Sequence, residues 1–147
     1  RRSEPMSVPE DSPGFTWPVR VYYEDTDAGG VVYNANYLRF MERARTEWLR
    51  SLGFEQDELR EREGVLFAVR SAALDFLSPA RFNDRLRVSV ALARCGGASL
   101  DFEQWVRRES DGLLCCRGLV KVACVNAGTL RPNRIPETLL AEIADVL

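Results

Sequence analysis

The sequence of 147 residues contains no histidine. Catalytic triads of the Ser-His-Asp type, Cys-His pairs and HExxH zinc sites all need that side chain, so each of them is excluded. A histidine general base, the commonest kind in enzymes, is excluded as well. If the chain is an enzyme, we therefore expect a carboxylate to carry the chemistry.

The pattern of cysteines gives little support to a metal site. The chain has four cysteines, and none of them forms a CxxC pair. Because there is also no histidine to complete a zinc site, we expect no metal. Cys115 and Cys116 are adjacent, so on a strand they would point to opposite faces. We interpret the cysteines as buried free thiols in a reducing compartment.

The sequence also lacks a long apolar run and a strong excess of one charge. No stretch approaches the roughly 20 apolar residues that cross a bilayer. The N-terminal stretch RRSEPMSVPEDSPG has no apolar core of the kind found in signal peptides. These absences predict a cytoplasmic protein with no transmembrane segment. A net charge of -2 without a concentrated basic face predicts no nucleic-acid partner.

What is present fits one globular domain behind a short tail. Residues 1–14 are rich in proline, serine and acid, which predicts a flexible N-terminal tail, and residues 15–147 then form a single domain. A strand is predicted over residues 15–23 from the alternation of apolar and polar side chains. Residues 37–52 carry apolar side chains at every third or fourth position, which is typical of a long amphipathic helix.

Signals at the ends of that helix and beyond it complete the predicted order. Asn34 or Asn36 can cap the start of the helix, Gly53 follows its end, and residues 55–64 predict a short second helix. The apolar period then changes from 3.6 to 2. We predict four long strands with hairpin connections, followed by a C-terminal helix that begins near Pro136.

This order of elements predicts an α+β fold. Long strands form a twisted, largely antiparallel sheet, and the apolar face of such a sheet must be covered. The long amphipathic helix has the length and the apolar stripe to lie across it.

The stretch YYEDTDAGGVVYNANY holds the candidate chemistry. Its three acidic residues fall in a tight turn between a strand and a helix: Glu24, Asp25 and Asp27. Gly29 and Gly30 allow a close backbone approach or a positive φ. The first N–H groups of the helix have no intrahelical partner, so with the helix dipole they favour an oxygen that gains negative charge. A nearby aspartate can act on a carbonyl held there, as a nucleophile or as a general base.

A purely structural interpretation competes with this one. Aspartate and glycine dominate ordinary turns, and either Asp25 or Asp27 can form an Asx turn. Spacing alone favours that structural role. If strand alternation continues through the turn, Asp25 and Asp27 share a face and one can orient the other.

The segment YYEDTDAGGVVYNANYLRFMERARTEWL resembles the signature of the 4-hydroxybenzoyl-CoA thioesterase-like hotdog family, and within it the branch of Tol–Pal-associated acyl-CoA thioesterases. The match covers about residues 19–52. The resemblance implies a hotdog fold, in which an antiparallel five-stranded sheet wraps around one long helix, here with a C-terminal helix. It also implies hydrolysis of acyl-CoA thioesters to free acid and CoA. Such enzymes need no metal or other cofactor, since coenzyme A is part of the substrate.

The resemblance also implies roles for individual residues. The family's catalytic aspartate falls on Asp27, and its oxyanion donor, a backbone N–H at the start of the long helix, falls at or near Asn34. Gly30 takes the place of the family's turn glycine, and Asp25 and Tyr33 are supporting candidates. Asp27 would attack the thioester carbonyl or activate the water that does.

One position departs from the family pattern. Many members of the branch carry histidine where this chain has Asn34, and an asparagine side chain cannot transfer protons near neutral pH. The alternative function is therefore a non-catalytic module that binds acyl thioesters or an acyl-carrier protein. The hydroxyacyl dehydratases of the same fold depend on a catalytic histidine, so the absence of histidine argues strongly against that class.

The family also implies partners. Its members are dimers or tetramers with active sites between subunits, so we expect a homodimer or homotetramer. The acyl donor is an acyl-CoA, with an acyl-carrier protein as the other donor left open. Arginines suit the phosphates of CoA, and the candidates, each more often merely solvated, are Arg70, Arg81, Arg131 and Arg134.

Overall fold

A computed structural model describes residues 14–146. Apart from Gly14, the predicted tail over residues 1–14 lies outside this range. The helices and strands are, in chain order, β1 (Phe15–Arg20), a 3-10 turn (Tyr23–Asp25), α1 (Asn34–Ser51), α2 (Gln56–Glu63), β2 (Val65–Phe76), β3 (Arg85–Cys95), β4 (Ser99–Arg108), β5 (Leu114–Asn126) and α3 (Glu137–Val146).

α1 is the long helix that the apolar stripe predicted. Its buried residues recur at helical spacing, among them Tyr37, Phe40, Met41, Ala44 and Trp48. The end of the helix is also as predicted, because Gly53 follows the C-cap residue with a φ of 95°.

The start of α1 differs from the prediction. Tyr33 is the N-cap residue and makes no side-chain capping bond. Asn34 is already the first helical residue, and the side chain of Asn36 is buried and donates to Asp25. The prediction that Asn34 or Asn36 caps the helix is therefore wrong, since the Asn36 amide has a different acceptor.

The five strands form one antiparallel sheet in the order β1-β3-β4-β5-β2. The predicted α+β hotdog architecture is confirmed. Hairpins join β3 to β4 and β4 to β5, but the predicted hairpin between β2 and β3 is wrong. β2 pairs with β5 at one edge, whereas β3 lies between β1 and β4. Alternation within a strand says which face is buried, but it does not say which strand is its neighbour.

A polar network ties α1 to the middle of the sheet. The side chain of Gln104 is fully buried. Its Nε2 donates to the carbonyls of Met41 and Ser89, each at 3.1 Å, and its Oε1 accepts from Nη1 of Arg45 at 2.9 Å. Every polar atom of this buried amide has a partner, so the network fixes the helix against the strands.

The cysteines are free thiols, as interpreted from the sequence, while the reducing compartment stays a prediction. All four are free thiols, and all except the partly buried Cys95 are fully enclosed. Burial raises the pKa of Cys116 to about 12 and that of Cys124 to about 11, so these thiols stay protonated and unreactive. Between Gly14 and Val146, no helix combines the length and the apolar character needed to span a membrane.

We predict that Gln104→Leu lowers the free energy of unfolding by roughly 1–3 kcal/mol, because the carbonyl of Ser89 and the guanidinium of Arg45 lose a buried partner. The matched control is Gln56→Leu, which removes only an exposed 3.3 Å bond to Thr46. Its expected effect is within about 0.5 kcal/mol. Urea unfolding of both variants measures the difference, and equal stabilities would contradict the role given to Gln104.

Candidate functional site

The segment between β1 and α1 folds back on itself as a short hairpin. The backbone N–H of Asp27 donates to the carbonyl of Val31 at 2.9 Å, and the N–H of Tyr33 donates to the carbonyl of Asp25 at 2.9 Å. α1 begins at the next residue, Asn34. The hairpin therefore lays both predicted aspartates alongside the residues that lead into the helix.

Two glycines make this hairpin possible for different reasons. Gly30 has a φ of 78°, a left-handed conformation that residues with a Cβ rarely adopt. A Cβ on Gly29 would lie only 3.2 Å from Oδ1 of Asp27. The expected positive φ and the expected close approach are thus both present, one at each glycine.

Asp27 is exposed and held in one orientation. Its Oδ1 accepts the backbone N–H of Gly29 at 2.8 Å, which is an Asx turn. Its Oδ2 accepts no hydrogen bond from any residue between 14 and 146. The structural role proposed for this residue thus occupies one oxygen, and the other oxygen has no partner among residues 14–146. Such a carboxylate can act on a ligand as a nucleophile or as a base.

Asp25 lies in a different environment. Its side chain is buried, with Oδ2 accepting the N–H of Tyr22 at 2.8 Å and Oδ1 accepting Nδ2 of Asn36 at 2.7 Å. Both oxygens are used to join the hairpin to the first turn of α1. The strand alternation that would put Asp25 and Asp27 on one face does not persist. β1 ends at Arg20 and a 3-10 turn intervenes, so one carboxylate points inward and the other outward.

The start of α1 is open. Asn34 is exposed, and its backbone N–H has no acceptor among residues 14–146. Tyr33 supplies no side-chain cap, and its ring is 56% exposed. The N–H of Asn34 is therefore available to an oxygen of a ligand, where the helix dipole also favours negative charge, whereas the N–H of Asn36 donates to the carbonyl of Tyr33 at 2.8 Å.

The segment between β2 and β3 packs against this hairpin. The N–H of Val32 donates to the carbonyl of Ala80 at 2.8 Å, and the backbones of Val31 and Arg81 form an isolated antiparallel β-bridge. The N–H of Ala80 donates to the hydroxyl of Tyr37 at 3.3 Å. Burial raises the pKa of Tyr37 to about 12, so the hydroxyl stays neutral as it accepts this bond. The contacts hold residues of the two segments side by side.

An exposed aromatic pair beside the hairpin was missed by sequence reasoning. The rings of Tyr23 and Phe82 stack with centroids 3.9 Å apart and planes 7° from parallel. The pair joins two segments far apart in sequence, so no local pattern signals it. The one hint in the sequence is that Tyr23 lies two residues before the DTD run.

The four candidate arginines are not brought together. Arg81 lies next to Phe82, and its guanidinium makes no bond to residues 14–146. Arg70 lies at a bulge on β2, and Arg131 and Arg134 follow β5.

Over the same described range, no cluster of three or more metal-ligating side chains occurs. The absence of a metal and of any other cofactor stays a prediction.

Comparison with known proteins identifies relatives along most of the chain. The family model described as the thioesterase-like superfamily matches residues 21–143. The acyl-CoA thioesterase YbgC of Haemophilus influenzae is 47% identical over 128 residues, which cover 87% of this chain and 93% of that protein. The acyl-CoA thioester hydrolase YbgC of Escherichia coli O6:H1 is 44% identical over 128 residues, or 87% of this chain and 94% of that one.

Solved structures of other proteins also resemble this chain. A probable thioesterase from Bartonella henselae superposes with a TM-score of 0.78 at 35% identity, covering 82% of this chain and 98% of that chain. Slr0204, a 1,4-dihydroxy-2-naphthoyl-CoA thioesterase from Synechocystis, gives 0.82 at 23% identity over 90% and 96% of the two chains, a likeness that supports the fold alone. The chain therefore belongs to the thioesterase-like superfamily, the hotdog family that its DTDAGGVVY segment predicted.

Proposed function

We propose that the protein hydrolyses acyl-CoA thioesters to a free acid and CoA. The observation that carries this proposal is the exposed, oriented carboxylate of Asp27 on a hairpin that leads into the open start of α1. The YbgC relatives, which are named acyl-CoA thioesterases and acyl-CoA thioester hydrolases, support the choice of substrate.

The proposed mechanism uses the carboxylate of Asp27 and the N-terminus of α1. Backbone N–H groups at the helix start, including that of Asn34, donate to the thioester carbonyl oxygen and stabilise the oxyanion. Asp27 attacks the carbonyl carbon through Oδ2, or it takes a proton from a water that attacks. The C–S bond then breaks, and CoA leaves as a thiolate that takes up a proton. In the first route, water hydrolyses the resulting mixed anhydride.

We predict that Asp27→Asn lowers thiol release from acyl-CoA by at least about 100-fold, because the amide can neither attack nor accept the proton. The matched control is Asp57→Asn. Asp57 is also exposed and also accepts a local backbone N–H, that of Glu58 at 2.9 Å. Near-normal turnover by Asp27→Asn would sink the assignment. A single turnover in ¹⁸O-water tests the nucleophilic route, since water that opens the anhydride at the Asp27 carbonyl labels Asp27 and leaves the product acid unlabelled, whereas direct attack by water labels the product.

The two aspartates differ in burial, which gives a prediction for stability. Asp25→Ala leaves the buried amide of Asn36 and the N–H of Tyr22 without an acceptor, so we expect the free energy of unfolding to fall by roughly 1–3 kcal/mol. Asp27→Ala removes one exposed bond, and its expected cost is below about 1 kcal/mol. Urea unfolding measures both. A larger loss for Asp27→Ala would refute this division of roles.

The alternative function, a non-catalytic binding module, has one observation in its favour. Asn34 stands at the helix start with a side chain that cannot transfer protons near neutral pH. Binding of a non-hydrolysable thioether analogue without any thiol release from acyl-CoA would favour the module. Parallel assays with acyl-CoA and an acyl-carrier protein substrate identify the donor.

We also propose that the protein is a homo-oligomer in which a second copy pairs along β2. This strand lies at the edge of the sheet and pairs only with β5 among the described strands. Its free edge carries exposed apolar side chains, including Val69 and Phe76, and Leu77 follows directly. An unprotected edge of this kind is a template for pairing with another strand. β1, the other edge strand, is shorter and contains Pro18, which cannot donate to a neighbour.

We predict that Val69→Lys shifts the protein from dimer or tetramer towards monomer, because a charge on this edge opposes pairing. Val146→Lys is the matched control, since Val146 on α3 is 55% exposed and Val69 is 53% exposed. Light scattering after size exclusion gives the masses. A monomeric parent protein, or an unchanged mass for Val69→Lys, would refute pairing along β2.

A further inference from the structure

A small cavity lies under the C-terminal half of α1, away from the hairpin. Its volume is about 40 Å³, enough for a group of the size of a carboxylate, and it opens to solvent, so that a longer chain can extend out of it. Apolar walls come from Trp48, Leu49, Phe67 and Phe102, and polar groups come from Arg45 and Gln56. Arg45 lies eleven residues after Asn34, roughly 16 Å along the helix, so the cavity is separate from the site at the helix start.

Arg45 brings a positive charge to this apolar cavity without a close counter-ion. Its side chain makes one hydrogen bond within residues 14–146, from Nη1 to Oε1 of Gln104. That partner is neutral, and no carboxylate of the same range forms an ion pair with it. Glu42 acts on Arg45 only as a more distant charge, and burial lowers the pKa of the guanidinium. A guanidinium carries five N–H donors, so donors remain for a ligand.

The guanidinium is also held in place. Nε2 of Gln104 donates to the carbonyls of Met41 and Ser89, which leaves Oε1 as the atom that faces Arg45. Because Gln104 is fully buried, this arrangement is rigid. A guanidinium group held in a fixed plane can bind a carboxylate through two parallel hydrogen bonds.

We propose that this cavity binds the carboxylate of a small organic acid at Arg45, with the adjoining carbon atoms against Trp48 and Phe67. Arg45 is half-buried, and a partly desolvated charge without a close counter-ion is stabilised by a carboxylate. Two sources have this chemistry. One is the free acid that the proposed hydrolysis releases, and the other is a carboxylate at the far end of an acyl group still joined to CoA. The choice between these two sources rests on the proposed function, whereas the binding of a carboxylate at Arg45 does not.

The binding test is calorimetric titration with hexanoate and with the uncharged hexanol. We expect hexanoate to bind the parent protein and Arg39→Met, an exposed position on the same helix, with equal affinity. Arg45→Met should bind hexanoate at least about tenfold more weakly, and hexanol should not distinguish the variants. Absence of hexanoate binding to the parent, or equal binding to Arg45→Met, would overturn the proposal.

Folding of the variants is checked by thermal unfolding. Replacing a buried charge by an apolar chain of similar length is commonly neutral or stabilising, so Arg45→Met should remain folded. Arg45→Lys gives an independent test, because it keeps the charge and loses the fork. It should bind hexanoate more weakly than the parent, and unchanged affinity would contradict recognition by the guanidinium.

Hydrolysis of hexanoyl-CoA and adipoyl-CoA then identifies the source. If the far end of the acyl group is bound, kcat/KM for adipoyl-CoA falls in Arg45→Met while that for hexanoyl-CoA does not. If the free acid is bound, hexanoate inhibits the parent protein and inhibits Arg45→Met much less. Absence of hydrolysis by the parent protein refutes the proposed function but not the site, because the titration does not depend on turnover.

Discussion

Asp25 joins the end of β1 to the start of α1, because its buried carboxylate accepts hydrogen bonds from both sides of that junction. One oxygen binds the N–H of Tyr22, and the other binds the side-chain amide of Asn36. With this carboxylate enclosed, the hairpin and the helix start form one unit. The orientation of Asp27 and the open N–H groups of α1 both depend on this unit.

Asp25 and Asp27 show how burial separates two identical side chains. The inward carboxylate has both oxygens satisfied, as a buried polar group requires. The outward carboxylate has one oxygen held by Gly29, and the other accepts no hydrogen bond from the described residues. Asp27 can therefore have both roles, structural and chemical. The Asx turn orients the carboxylate that the proposed chemistry needs.

α1 carries both proposed sites, and the two have opposite requirements. Its N-terminus is exposed and uncapped, which suits an oxygen that gains negative charge. Its C-terminal half is buried against the sheet, where Gln104 holds Arg45 beside an apolar cavity.

Local pattern determined the elements of this protein, and the resemblance of one segment determined its family. The apolar stripe predicted α1, the alternation predicted the long strands, and the DTDAGG run predicted a turn with a positive φ at a glycine. These features follow from backbone sterics and from burial of one face, which neighbours in sequence decide. The partner of β2, the inward turn of Asp25, the stacking of Tyr23 on Phe82 and the hydrogen bond of Arg45 to Gln104 were decided only by the tertiary structure. Each of them depends on residues distant in sequence, whose approach no local period encodes.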